Sequence, residues 1–206
     1  MKKNRRPPVL TLEQTPAVFP LEQQSEGYLF ENVEMPEMLA GYEFRECTFR
    51  NAVFHGRLRG CLFADCIFEH CDLSNLDFRE CAFRRSEFHI CRLTGTDFSE
   101  SSWQDVLMTG CKGSYANFSS GTMKLCEFRE SVLSEAAFTM CRWQDTQFDD
   151  CDLTGCEFLD TSLKGMVLAG NIIDGILVEP KGLQGAIISP DQAVLCAALL
   201  GMKIRE

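Results

Sequence analysis

The chain has 206 residues with 30 acidic and 20 basic side chains, a net charge of −10 and a length suited to one domain or two small ones. Lys2, Lys3, Arg5 and Arg6 fall at the start, leaving 16 basic against 30 acidic residues from Pro7 onward, a balance that repels nucleic acid and favours basic protein surfaces. No apolar run reaches 18 residues and MKKNRRPPVL has no apolar segment after it, so neither a membrane span nor a signal peptide is expected and the chain reads as cytoplasmic.

Residues 1–38, with Pro7, Pro8, Pro16, Pro20 and Pro36, read as an irregular N-terminal tail and cap. Phe44, Phe49 and Phe54 then open a five-residue rhythm, one residue is lost before Leu58, and from Leu58 to Ile188 an apolar residue fills 26 of 27 consecutive fifth positions. Gly113 alone breaks the run, and a dent or bulge is expected there. A period of five fits neither the 3.6 of a helix nor the 2.0 of a strand, so each unit must turn a corner before the next begins. Residues 39–188 therefore form a solenoid.

The residues filling the rhythm give the number of sides. Leu73, Leu93, Leu133 and Leu153 are multiples of 20 apart, Phe78, Phe98, Phe118, Phe138 and Phe158 recur every 20, and Trp103 and Trp143 are 40 apart. Like shapes stack best, so each coil has four sides. Counted from Phe44, the units make about eight coils and a rod of ~37 Å at the strand spacing.

Eleven of the twelve cysteines (47, 61, 66, 71, 81, 91, 111, 126, 141, 151 and 156) lie two residues before a central apolar position, in a column otherwise holding small residues such as Ser86, Thr96, Ala116 and Gly121. They read as buried small hydrophobes and not as metal ligands, although Cys61, Cys66, Cys71 and His70 resemble a zinc cluster in isolation. Cys71, Cys91 and Cys111 would stack with parallel side chains, which disfavours disulfides, so free and slowly reacting thiols are expected.

Lys181 would place a charge in the inward column, so regular coiling is expected to fail near Val178. Ser189, Pro190 and Asp191 read as the N-cap and first turn of a helix over QAVLCAALL that stops at Gly201. This helix is apolar on nearly every face. Residues 189–206 thus form a dimerisation helix and tail, with Val194, Leu195, Ala198, Leu199, Leu200 and Met202 at the interface with a second copy.

Four sides also sort the charges. One side carries Asp77, Glu80, Asp97, Glu100, Glu157 and Asp160; the opposite side carries Glu87, Glu127, Glu130, Asp149 and Asp150; the side between them has Arg84, Arg85, Lys124, Arg142 and Lys164. The two acidic flanks form the expected partner-facing surface. His55, His70 and His89 fall in separate units, and no P-loop, GxGxxG or HExxH occurs, so neither an enzyme nor a cofactor is indicated.

Units such as CDLSNLDFRE, CRLTGTDFSE and CDLTGCEFLD resemble the A(D/N)Lxx pattern of the pentapeptide-repeat family over about residues 40–188. The resemblance implies an all-β fold, a right-handed quadrilateral β-helix. LTGTDFSESSW, CDLTGCEFLDTSLKG and ISPDQAVLCAALLGMKI further resemble the Qnr group of quinolone-resistance proteins, particularly the chromosomal Gram-positive type. This second resemblance implies a DNA-mimicking homodimer, joined through C-terminal helices, that binds DNA gyrase and topoisomerase IV and protects them from fluoroquinolones. Two such rods end to end would span about 75 Å, or about 22 base pairs. The projecting loops of Gram-negative Qnr proteins find no room in the unbroken rhythm, so protection would come from the rod surface. A repeat scaffold binding some other basic protein is the alternative.

Overall fold

A computed structural model describes residues 4–11, 13–17, 21–199 and 201–203. One unit shows why the period is five. Cys81 points inward, Ala82 outward, Phe83 inward and Arg84 outward, and Arg85 then turns the corner in the left-handed region at φ 47°. That conformation is costly for an L-residue with a side chain. The corner amides offset the cost by donating to the next level: Arg85 N to Gln104 O at 2.9 Å, Ile90 N to Thr109 O at 2.9 Å and Glu100 N to Ser119 O at 2.9 Å.

Stacking these units gives a four-sided β-solenoid. Two adjacent sides are continuous parallel sheets, one of eight strands from Thr15–Pro16 to Gln147–Asp149 and one of seven from Gln24–Glu26 to Arg142–Gln144. The other two sides are bridge ladders, Val53–Asp72–Arg92–Lys112–Val132–Asp152–Ile172 and Arg57–Asp77–Asp97–Asn117–Ala137–Glu157–Leu177. Register confirms the 20-residue turn, since Phe63 pairs with Phe83, Phe83 with Trp103, Trp103 with Met123 and Met123 with Trp143. Inside, like rings stack: Phe68 on Phe88 at 4.6 Å, Phe98 on Phe118 at 5.2 Å and Phe138 on Phe158 at 5.5 Å.

The residue missing before Leu58 is missing twice. Phe30 pairs with Phe49 and Phe49 with Phe68, each 19 residues on, so two successive turns are short at one edge. That edge is tight. A Cβ on Gly56, at φ +70°, would stand 2.2 Å from the Glu37 carbonyl oxygen, which only glycine avoids.

Three expectations are corrected here. Residues 24–31, assigned to the irregular N-terminal segment, form strands Gln24–Glu26 and Tyr28–Glu31 within the two sheets. Ser25, Phe30 and Met35 are buried at five-residue spacing, but a serine in an inward slot hid the rhythm. Gly113 makes no bulge, because Gly113 N donates to Val132 O at 2.7 Å and the Leu133 and Leu93 side chains close over the missing one. Coiling also passes Val178: Lys181 turns out to solvent within a turn over 180–185, Gly182 is buried in its place, and Leu168 N still reaches Ile187 O at 2.7 Å.

Helix α1, Pro190–Leu199, closes the C-terminal end. Ser189 is its N-cap, and Gln192 Oε1 accepts the Ser189 amide at 3.1 Å, half of a capping box. The Gln192 Nε2 group donates to Leu168 O at 2.9 Å and Asn171 O at 2.8 Å, satisfying carbonyls that no further coil meets. Gly201, at φ +76°, stops the helix with its amide on Ala198 O at 2.9 Å.

Candidate interaction surfaces

The small inward column does more than fill space. Many of its Cys, Ser and Thr side chains donate to a carbonyl of the preceding coil: Cys81 Sγ to Leu58 O at 2.8 Å, Ser86 Oγ to Phe63 O at 3.2 Å, Thr96 Oγ1 to Leu73 O at 2.7 Å, Cys156 Sγ to Leu133 O at 3.0 Å and Thr161 Oγ1 to Phe138 O at 2.6 Å. Ser101, Cys126 and Ser131 donate instead to carbonyls two or three residues back. Ala116 and Gly121 fill the position without a donor, so small size is what it requires, and a single X–H donor is what lets Cys, Ser and Thr interchange there with an added bond. Sequence reasoning saw the size and missed the donor. All twelve thiols are free and buried, and burial pushes Cys126, Cys141 and Cys156 up to about 12, leaving them protonated near neutral pH. Among the described residues no His, Cys, Asp and Glu group is placed to hold a metal ion.

The predicted acidic residues lie on opposite sides of the rod, as sorted. Asp77, Asp97 and Glu157 share one bridge ladder, while Glu87, Glu127 and Asp149 stand on the eight-stranded sheet. Their electrostatic states differ along the axis. Arg79 holds Asp77 at 2.6 Å, Arg59 holds Glu80 at 3.0 Å and Arg129 holds Glu127 at 2.7 Å. The Arg79 guanidinium keeps the Asp77 carboxyl below its ordinary range. Glu100, Glu130, Asp149, Asp150, Glu157 and Asp160 make no ion pair among the described residues. Composition agrees: residues 130–206 hold 12 acidic and 5 basic side chains, residues 1–129 hold 18 and 15. The unneutralised charge is concentrated toward the C-terminal half.

The segment carrying Arg5 and Arg6 lies against the rod. From Thr15, whose amide donates to Gly27 O at 2.9 Å, it climbs the corner shared by the two sheets. Val9 N donates to Asp65 Oδ1 at 3.0 Å, and Arg85 also grips that carboxylate, Nε to Oδ1 at 2.6 Å. Higher up, Arg6 N donates to Asp105 Oδ1 at 3.0 Å and Arg6 Nη2 to Oδ2 at 2.8 Å, and Arg5 Nη2 meets Glu87 Oε1 at 2.8 Å. The Asp105 side chain is fully buried beneath. Burial works against its carboxylate, but the Arg6 side chain and amide outweigh it and hold the group below its ordinary range. Glu87 is lowered as well, by the His89 hydrogen bond first, against burial, and then by Arg5. The five-residue rhythm carries no information about a segment outside it, so sequence reasoning missed this strap.

Of the predicted interface residues on α1, Val194 and Ala198 are exposed, as is Met202 beyond it. Leu195 and Leu199 instead pack partly on the chain's own core beside buried Cys196. Leu200 lies outside the described residues. No helix among the described residues is long and apolar enough to cross a membrane.

Comparison with known proteins matches the coil itself. Residues 61–138 fit the pentapeptide repeat region model and residues 131–168 the model of eight pentapeptide repeats. The chain belongs to the pentapeptide-repeat family. This pentapeptide-repeat chain is 32% identical over 104 residues to the quinolone resistance pentapeptide repeat protein QnrB96 of Scandinavium goeteborgense, covering 43% of this chain and 47% of that protein. It thus spans about half the length of that relative. Among solved structures it is similar to QnrB1, a plasmid-mediated fluoroquinolone resistance protein, with a TM-score of 0.47, 23% identity and coverage of 88% and 99% of the two chains. It is also similar to HetL of Nostoc sp. strain PCC 7120, involved in heterocyst differentiation regulation, with a TM-score of 0.37, 18% identity and coverage of 80% and 88%.

Proposed function

We propose that this chain is a non-enzymatic, cytoplasmic Qnr-like rod whose acidic flanks bind type II topoisomerases, DNA gyrase and topoisomerase IV, and lower their susceptibility to fluoroquinolones. The observation that carries the reading is the run of carboxylates without an ion pair among the described residues on opposite faces of a four-sided rod, Glu100, Glu157 and Asp160 on one and Glu130, Asp149 and Asp150 on the other. Two rows of negative charge on a narrow rod imitate the phosphates of duplex DNA, and likeness to a quinolone resistance protein supports the choice of partner. Two copies meet through the outward positions of α1, Val194 and Ala198, with Met202, doubling the length of the rod.

In the test, purified protein is added to gyrase supercoiling assays containing ciprofloxacin. Supercoiling is restored by the native chain and not by a chain with Glu100, Glu157 and Asp160 changed to Lys. Absence of rescue at any concentration overturns the reading. Val194→Glu should sediment as a monomer, and a dimer in that variant would refute the α1 interface.

A further inference from the structure

The strap meets the rod through carboxylates at a spacing that its own sequence dictates. Between Arg6 and Val9 stand Pro7 and Pro8, which have no N–H and favour a polyproline-II path. Three residues on that path advance about 9.3 Å. Asp105 and Asp65, which accept the Arg6 and Val9 amides, are two coils apart, about 9.6 Å at the strand spacing. Each free amide of the Arg-Pro-Pro-Val segment therefore finds a carboxylate, and each arginine side chain finds another charge-assisted bond.

The coil does not need this cover. Its corner amides are already satisfied level to level, Asp65 N by Arg84 O at 2.8 Å, Arg85 N by Gln104 O at 2.9 Å and Asp105 N by Lys124 O at 2.9 Å. Nor is the occupant a perfect fit, since Arg5 Nη1 is buried without a hydrogen-bond partner among the described residues, beside a cleft of about 300 Å³ lined by Glu127, Trp143, Thr146 and Lys164. Thr146 Oγ1, buried in the same wall, also lacks a partner among the described residues.

We infer that the corner formed by Asp65, Glu87 and Asp105 is a binding site for arginine-bearing polyproline-II segments, which residues 5–9 fill in the free protein. The strap is a tethered ligand, anchored at Thr15 and held at high effective concentration, and a basic Pro-containing segment of a partner exchanges with it. Glu87 lies at the edge of the flank on the eight-stranded sheet, but Asp65 and Asp105 sit at the corner beside it, and the site does not depend on which basic protein the flanks bind.

The experiment uses the full-length chain carrying Arg5→Ala and Arg6→Ala, and a fluorescent peptide of residues 3–12, KNRRPPVLTL, followed by anisotropy. The peptide should bind this variant saturably and at least tenfold more tightly than the native chain, weaken as salt rises, and lose tenfold or more when Asp105→Asn is added. Equal affinity for the native and variant chains overturns the inference. If the double variant fails to fold, hydrogen exchange on the native chain decides: excess peptide should speed exchange of the Arg6 and Val9 amides, and unchanged rates overturn the inference.

Discussion

Phe118 and Phe138 lie one coil apart with ring centroids separated by 4.8 Å and planes within 2° of parallel. Phe118 also stacks on Phe98 at 5.2 Å and meets Phe128 edge-on at 5.9 Å, so it is packed from above, below and the side. A solenoid cannot collapse onto a cavity in its axis without breaking the ladders around it. Phe118→Ala should therefore cost about 3 to 5 kcal/mol in denaturant unfolding.

The donor in the small inward column is testable at Thr161. Its Oγ1 donates to Phe138 O at 2.6 Å and accepts the Cys141 amide at 3.0 Å. Thr161→Val keeps the shape, strands both partners and should cost about 1 to 3 kcal/mol. Thr161→Ser, which keeps the hydroxyl, should recover much of that loss in the same unfolding assay.

Gln192 joins the cap to the rod. Gln192→Leu removes the donor shared by the Leu168 and Asn171 carbonyls and the acceptor for Ser189 N. A loss of about 2 kcal/mol or more is expected, with faster hydrogen exchange in residues 165–190 and unchanged exchange in residues 60–100. Uniform acceleration along the rod would show that the cap does not act locally.

Asp77, Glu87 and Asp105 are held below the ordinary carboxyl range in the folded chain. Their contribution is fully present above the unfolded value near pH 4 and is lost as pH falls through the depressed folded values. Thermal stability should thus be insensitive to these groups between about pH 5 and 8 and fall below about pH 4. Asp105→Asn should soften that acid fall; an identical acid profile would mean that the Arg6–Asp105 pair does not contribute.

The coil was legible because every unit obeys one local rule. Phe78, Phe98 and Phe118 recur at 20 because stacked levels select like shapes, and the same rule placed the cysteine column inward and sorted Asp97 and Glu157 onto one side. The rule fails where a slot holds an atypical residue. Ser25 hid the first strands, and Lys181 suggested a break that the chain avoids by turning it outward and burying Gly182.

Sequence by itself thus determined the period, the four sides, the inward column and the segregation of charge, since all of these follow from which residues share a position in a repeating unit. Tertiary structure alone decided which carboxylates are neutralised, where the donors of the small column reach, how Gln192 seals the last coil and where residues 5–9 lie. These depend on partners such as Arg6 and Asp105, 99 residues apart. No periodicity links such residues; the folded rod brings them together, and desolvation with hydrogen bonding fixes the pairing.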